Sequence, residues 1–255
     1  MKRFCGRCGA PVEGVCNHCD PEHEAVSDSM SGHMENRLRT IDERAGAPGI
    51  LAGLSFYGTL VLVIAVGYWS QLRRTSIDPE TLMILVSGVF ALVVGFGLLA
   101  TWRLVRPSLI GSVRLEFILM AAAGAFVSVI VSLLYGAWIR TLVNVEGLES
   151  VRMLGLGELP QLAQLVLICV MPAVFEEIAI RGILFDIMRT FLRPSPVVIV
   201  TSAAFSILHF SIVLFPFYFA FGLALGWLRS RSGSLWPSIG FHFMHNLVLW
   251  ILESL

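Results

Sequence analysis

The sequence predicts an all-α fold: a polytopic transmembrane helical bundle of about seven crossings, within a range of six to eight, with a small cysteine-bearing head at its N-terminus. Three observations predict it. Hydrophobic residues fill 56% of the 255 positions and charged ones only 14%, where a soluble domain carries roughly a quarter charged. Mean hydropathy is +0.79. The charge is also segregated, because residues 1–47 are polar throughout while residues 50–252 are apolar runs joined by short charged loops. Finally, four of the five cysteines stand as two close pairs within the first twenty residues. The formal net charge of +0 leaves no global basic field, so no nucleic-acid partner is expected.

The head comes first. Cys5-x-x-Cys8 and Cys16-x-x-Cys19 are the spacing of a zinc ribbon, since each pair presents two thiolates from one tight turn and tetrahedral zinc takes four. Gly6 and Gly9 suit such a turn. Two disulfides are the rival, and a cytoplasmic position, where thiols stay reduced, argues against them. Residues 1–20 are therefore read as a ribbon holding a structural zinc, and 21–47 as a flexible linker with a short amphipathic helix around Met34–Ala45. Met1–Asp20 lacks the apolar stretch of a cleavable signal peptide.

Residues 48–255 are the membrane domain. Its apolar runs are Ile50–Trp69, Leu82–Trp102, Leu115–Ile139, Leu159–Arg181, Val197–Leu214, Phe215–Leu228 and Leu235–Leu252. Most match the ~20 helical residues that cross a hydrocarbon core. The fifth and sixth runs are contiguous, and a tight helical hairpin is expected near Pro216, because proline breaks the backbone ladder. Basic residues set the orientation. With the N-terminus inside, thirteen fall on the cytoplasmic side (the last being Arg229 and Arg231) and four outside, namely Arg73, Arg74, Arg140 and Arg152. The expected location is a cell membrane, multi-pass, with a cytoplasmic N-terminus.

Ionisable groups within the apolar runs mark the candidate chemistry, because a charge at mid-bilayer costs about 2.5–3.5 kcal/mol by insertion scales. Glu176, Glu177 and Arg181 lie in MPAVFEEIAIRGILF. At 100° per residue Glu177 and Arg181 share a face while Glu176 points elsewhere, so Arg181 should pair with Glu177 and leave Glu176 facing a cavity. Pro172 should open the helix just before them. His209 follows in FSILH, and His242 and Asn246 share a helical face in HFMHN. Counted from the cytoplasmic ends, Glu176 lies about 9–16 Å deep, His209 about 20 Å and His242 about 12 Å. Three helices thus bring polar groups to compatible depths. His245 and Phe205 are read as supporting or packing groups, and Cys169 as a small core residue.

These motifs, EEIAIR, FSILH and HFMHN in that order, resemble the CAAX prenyl endopeptidases and bacteriocin-processing proteins, the CPBP intramembrane proteases. Arg181-Gly182 and SLWPSIGF before His242 agree with that family, and Ile180 stands where it more often has an aromatic. The resemblance covers 159–252, the motif-bearing core. It implies an endopeptidase acting on a membrane-associated peptide or protein, with no catalytic metal. Glu176 and His209 would activate water, His242 and Asn246 would donate to the oxyanion, and Glu177 and Arg181 would be supporting. Three rivals stand beside this: a zinc-dependent protease built from the same residues, a non-catalytic immunity or scaffold protein, and a proton or ion carrier. No HExxH motif supports the first.

Overall fold

The computed structural model describes residues 3–4, 11–12, 47–72, 77–142 and 156–254. The chain divides into two units, Met1–Gly46 and Ala47–Leu255. In the first, strand β1 (Arg3–Phe4) pairs antiparallel with β2 (Pro11–Val12), Arg3 opposite Val12 and Phe4 opposite Pro11. Cys5, Cys8, Cys16 and Cys19 lie outside the described residues, as does the helix expected around Met34–Ala45.

The second unit is built of helices joined by short turns among its described residues. Its elements are α1 (Ala47–Leu72), α2 (Pro79–Ala100), α3 (Trp102–Ile110), α4 (Leu115–Leu142), α5 (Gln161–Met188), α6 (Pro194–Leu208), α7 (Phe215–Ser232) and α8 (Trp236–Ser254). Helices α1, α2, α4 and α5 are long and apolar enough to cross a membrane. Local chemistry marks the ends. Asp78 caps α2 by accepting the Thr81 N–H at 2.8 Å, with Pro79 in the first turn where its missing N–H costs nothing. Gly233 ends α7 at φ +70°, a left-handed conformation glycine adopts without a Cβ clash.

Two boundaries differ from the sequence expectation. The second apolar run does not continue through Trp102; Thr101 separates α2 from the short α3, and its hydroxyl donates to the Gly97 carbonyl at 2.7 Å. The fifth and sixth runs do part, but at residues 209–214, before Pro216, which sits in the first turn of α7. The turn begins at Phe210, whose φ of 47° is rare for a side chain of that size.

Within the bundle α7 packs along α6, α8 packs along α4 and α5, and α1 packs along α2. The core they share includes Leu60, Val94, Ile180, Ile183, Phe205 and Phe221. At Gly222 an added Cβ would stand 3.1 Å from the Ser202 backbone and 3.3 Å from Arg181 Nη2, so the absence of a side chain here eases the close approach of α7.

Candidate active site

Helix α5, which carries the glutamates and the arginine, is not an ordinary α-helix. Three π-helical stretches, Leu165–Val170, Pro172–Glu176 and Ile178–Leu184, run almost without interruption through its centre. Wide windings of this kind recur at functional sites. They also change the angular argument made from the sequence. In a π-helix the bonding partner is five residues away, so Glu176 comes nearer the Arg181 face than 100° per residue allows, and its charge acts on Arg181 together with that of Glu177.

Pro172 adds no N–H to this wide winding. Close to it, Asn246 Nδ2 of α8 donates to Ile168 O at 3.0 Å. One amide hydrogen of the motif asparagine is therefore committed to the helix that bears the glutamates.

Glu177 is the hub. Its Oε1 accepts from Arg181 Nη1 at 2.8 Å and from His242 Nδ1 at 3.1 Å, and both Glu177 and Arg181 are wholly buried. The Arg181–Glu177 pairing follows from their i, i+4 spacing; the His242 contact joins α8 to it and is invisible in the sequence. Arg181 also donates through Nη2 to Gly222 O at 3.2 Å and lies over the Phe205 ring at 4.4 Å, so its charge meets a carboxylate, a carbonyl and a π-face at once. Glu177 Oε2, Glu176 Oε2 and Arg181 Nε are buried and meet no hydrogen-bond partner among the described residues.

His209 caps the C-terminus of α6. Its Nδ1 donates to Phe205 O at 2.9 Å, and its ring stacks on Tyr218 with centroids 3.8 Å apart. Glu176, half-buried, lies close enough for its charge to act on His209 and on Tyr218. His245, read as a supporting group, bonds through Nδ1 to Ser128 Oγ of α4 at 2.8 Å and packs on Phe221.

The partners fix the tautomers. A carbonyl and an ionised carboxylate only accept, so the Nδ1 atoms of His209 and His242 both carry hydrogen. Ser128 Oγ lies 2.8 Å from both Ala125 O and His245 Nδ1. When neutral, the rings of His209 and His242 each present an Nε2 lone pair away from their partners, and donate there only as an imidazolium. Among the described residues no three His, Cys, Asp or Glu side chains are grouped as a metal ligand set.

The structure thus brings Arg181, His209 and His242 against Phe205, with Glu177 bonded to both Arg181 and His242; the charge of Glu176 acts on His209, and Asn246 lies farther along α8. Residues 158–248 match a family model, type II CAAX prenyl endopeptidase Rce1-like. That stretch runs from just before α5 into α8 and includes every one of these residues. The likeness is to a protease family and supports a peptide hydrolase. No curated protein and no solved structure matches the chain. Tyr218 carries no motif signal in the sequence, and the turn at 209–214 folds it onto His209.

Proposed function

We propose that this chain is an intramembrane endopeptidase that hydrolyses a peptide bond of a membrane-associated substrate without a catalytic metal. The observation that carries the reading is a carboxylate, Glu176, with an unpartnered buried oxygen beside an imidazole, His209, whose free nitrogen is an acceptor. Together they take a proton from water as its oxygen attacks the scissile carbonyl carbon. The carbonyl π pair moves to oxygen. His242 as imidazolium and the second amide hydrogen of Asn246 donate to that oxyanion. When the C–N bond breaks, the amine leaves with the proton held by His209 and Glu176. Glu177 and Arg181 hold His242 and the helix.

In this reading seven helices cross the membrane, α3 lies at the cytoplasmic face and the N-terminus is cytoplasmic, as the basic residues favour. Helix α6 has 15 residues, about 22 Å, so His209 and the turn after it fall inside a hydrocarbon core of about 30 Å. Irregular backbone at such depth belongs against protein or a wet cavity. The head keeps a structural zinc on Cys5, Cys8, Cys16 and Cys19, which zinc content before and after Cys5→Ser and Cys8→Ser tests. A prenylated CAAX peptide, the substrate class in the matched family's name, is the first defined substrate to try.

The test is membrane peptidomics of cells carrying the wild type or Glu176→Ala. Specific fragments vanish in the variant while its protein level holds; identical fragment patterns would sink the proposal. The zinc-dependent version is a second reading, favoured by the free Nε2 lone pairs of His209 and His242, since ligating histidines commonly donate their other nitrogen to a carbonyl or carboxylate. It predicts that a chelator stops cleavage even in the Cys5→Ser, Cys8→Ser background, where the ribbon zinc is already gone.

A further inference from the structure

Hydrogen-bond accounting leaves the proposed oxyanion site short of donors. Asn246 has one amide hydrogen tied to Ile168 O, and His242 has its Nδ1–H tied to Glu177. His242 therefore donates there only as an imidazolium, through Nε2, and Asn246 offers one hydrogen. Tyr218 offers another. It lies in the first turn of α7, half-buried, with its ring flat on His209 at 3.8 Å and 28° and near Phe205. No hydrogen bond engages its hydroxyl among the described residues, although the other tyrosine hydroxyls of the bundle that reach backbone, Tyr57 and Tyr135, donate to Ala204 O and Val213 O. Glu176 is near enough for its charge to be felt at Tyr218.

We propose that Tyr218 is a further catalytic residue, its phenol O–H donating a hydrogen bond to the oxyanion that forms when water attacks the scissile carbonyl between Glu176 and His209. The proposal rests on the hydrolase reading and adds to it. No proton is transferred from Tyr218: water's proton goes to the Glu176–His209 pair and leaves with the amine, while the phenol holds the negative oxygen until the carbonyl re-forms. The stacked ring has a second effect, holding the plane of the His209 imidazole.

Tyr218→Phe keeps the stack and removes the donor; Tyr218→Leu removes both. The readout is the initial rate at which the Glu176-dependent fragments appear in membranes of wild type, Glu176→Ala and the two variants, alongside protein level and melting temperature in detergent. Tyr218→Phe is expected to slow every such fragment about 10²-fold, the effect of deleting one oxyanion donor, at unchanged level and melting temperature. Tyr218→Leu loses at least as much. Wild-type rates in Tyr218→Phe overturn the proposal, and a loss confined to Tyr218→Leu gives the ring a holding role and overturns the hydroxyl's. If no fragment depends on Glu176, the hydrolase reading fails and Tyr218's role falls with it. If fragments depend on Glu176 but not on Tyr218, only the present proposal falls.

Discussion

The first three long helices and the last four spend their residues differently. Of the spanning windows, α1 is 11% buried within the protein, α2 17% and α4 22%, against 39% for α5. The front helices turn Leu92, Phe96, Phe126 and Leu134 outward. The rear helices hold Glu177, Arg181, Arg229 and His242 in the interior and lace them together. A lipid-facing helix needs only an apolar surface. A helix that carries interior charge needs partners from several neighbours, and this is where sequence order and glycine placement become exacting.

The comparison can be broken most directly at its hub. Glu177→Ala leaves Arg181 buried without its carboxylate and should cost about 3–5 kcal/mol, read as a large fall in melting temperature in detergent. A small effect would mean that the rear interior is wetter than its burial suggests. Next, Asn246→Ala strips the donor from the Ile168 carbonyl, at a cost of about 1–3 kcal/mol in the same melts.

Gly124→Val tests the seam where the front half meets the rear, since a Cβ there would stand 2.6 Å from the Phe241 ring. Overpacking of about 1–3 kcal/mol is expected, with less if the ring can tilt away. By contrast Phe96→Ala, at a residue 71% exposed, should move stability by about 0.5 kcal/mol or less. A larger loss would show that α2 has a protein neighbour on that face. The smallest effect concerns the Asp78 cap. The Thr81 amide holds this carboxyl below its ordinary range, so its support of α2 is present above the unfolded value near pH 4 and fades as pH falls through the lowered folded one. Asp78→Ala should flatten that acid limb slightly in a melting-temperature series.

Much of the scaffold was legible because apolar runs and helices share the same cause. Ile50–Trp69 lies within α1 and Leu115–Ile139 within α4. The Glu177–Arg181 pair was legible too, because four residues is a local distance that needs no tertiary knowledge. What stayed hidden depends on contacts between distant segments or on departures from 3.6 residues per turn. The π windings of α5 left no mark beyond Pro172. The reach of His242 to Glu177 spans 65 residues of sequence. Arg229 reads as an ordinary cytoplasmic charge, yet it is buried, with Nη2 on Asp186 at 2.8 Å and 3.0 Å.

That arginine has one more consequence. Arg181 reaches from α5 to the backbone of α7 at Gly222, and Arg229 reaches from α7 back to the carbonyl of Arg181 itself at 3.0 Å. The two strands of this stitch run in opposite senses, so α5 cannot slide or swivel past α7 without tearing both. A shift of one helix along the other would therefore cost both buried arginines their partners, which ties α5 to α7 more firmly than apolar packing alone.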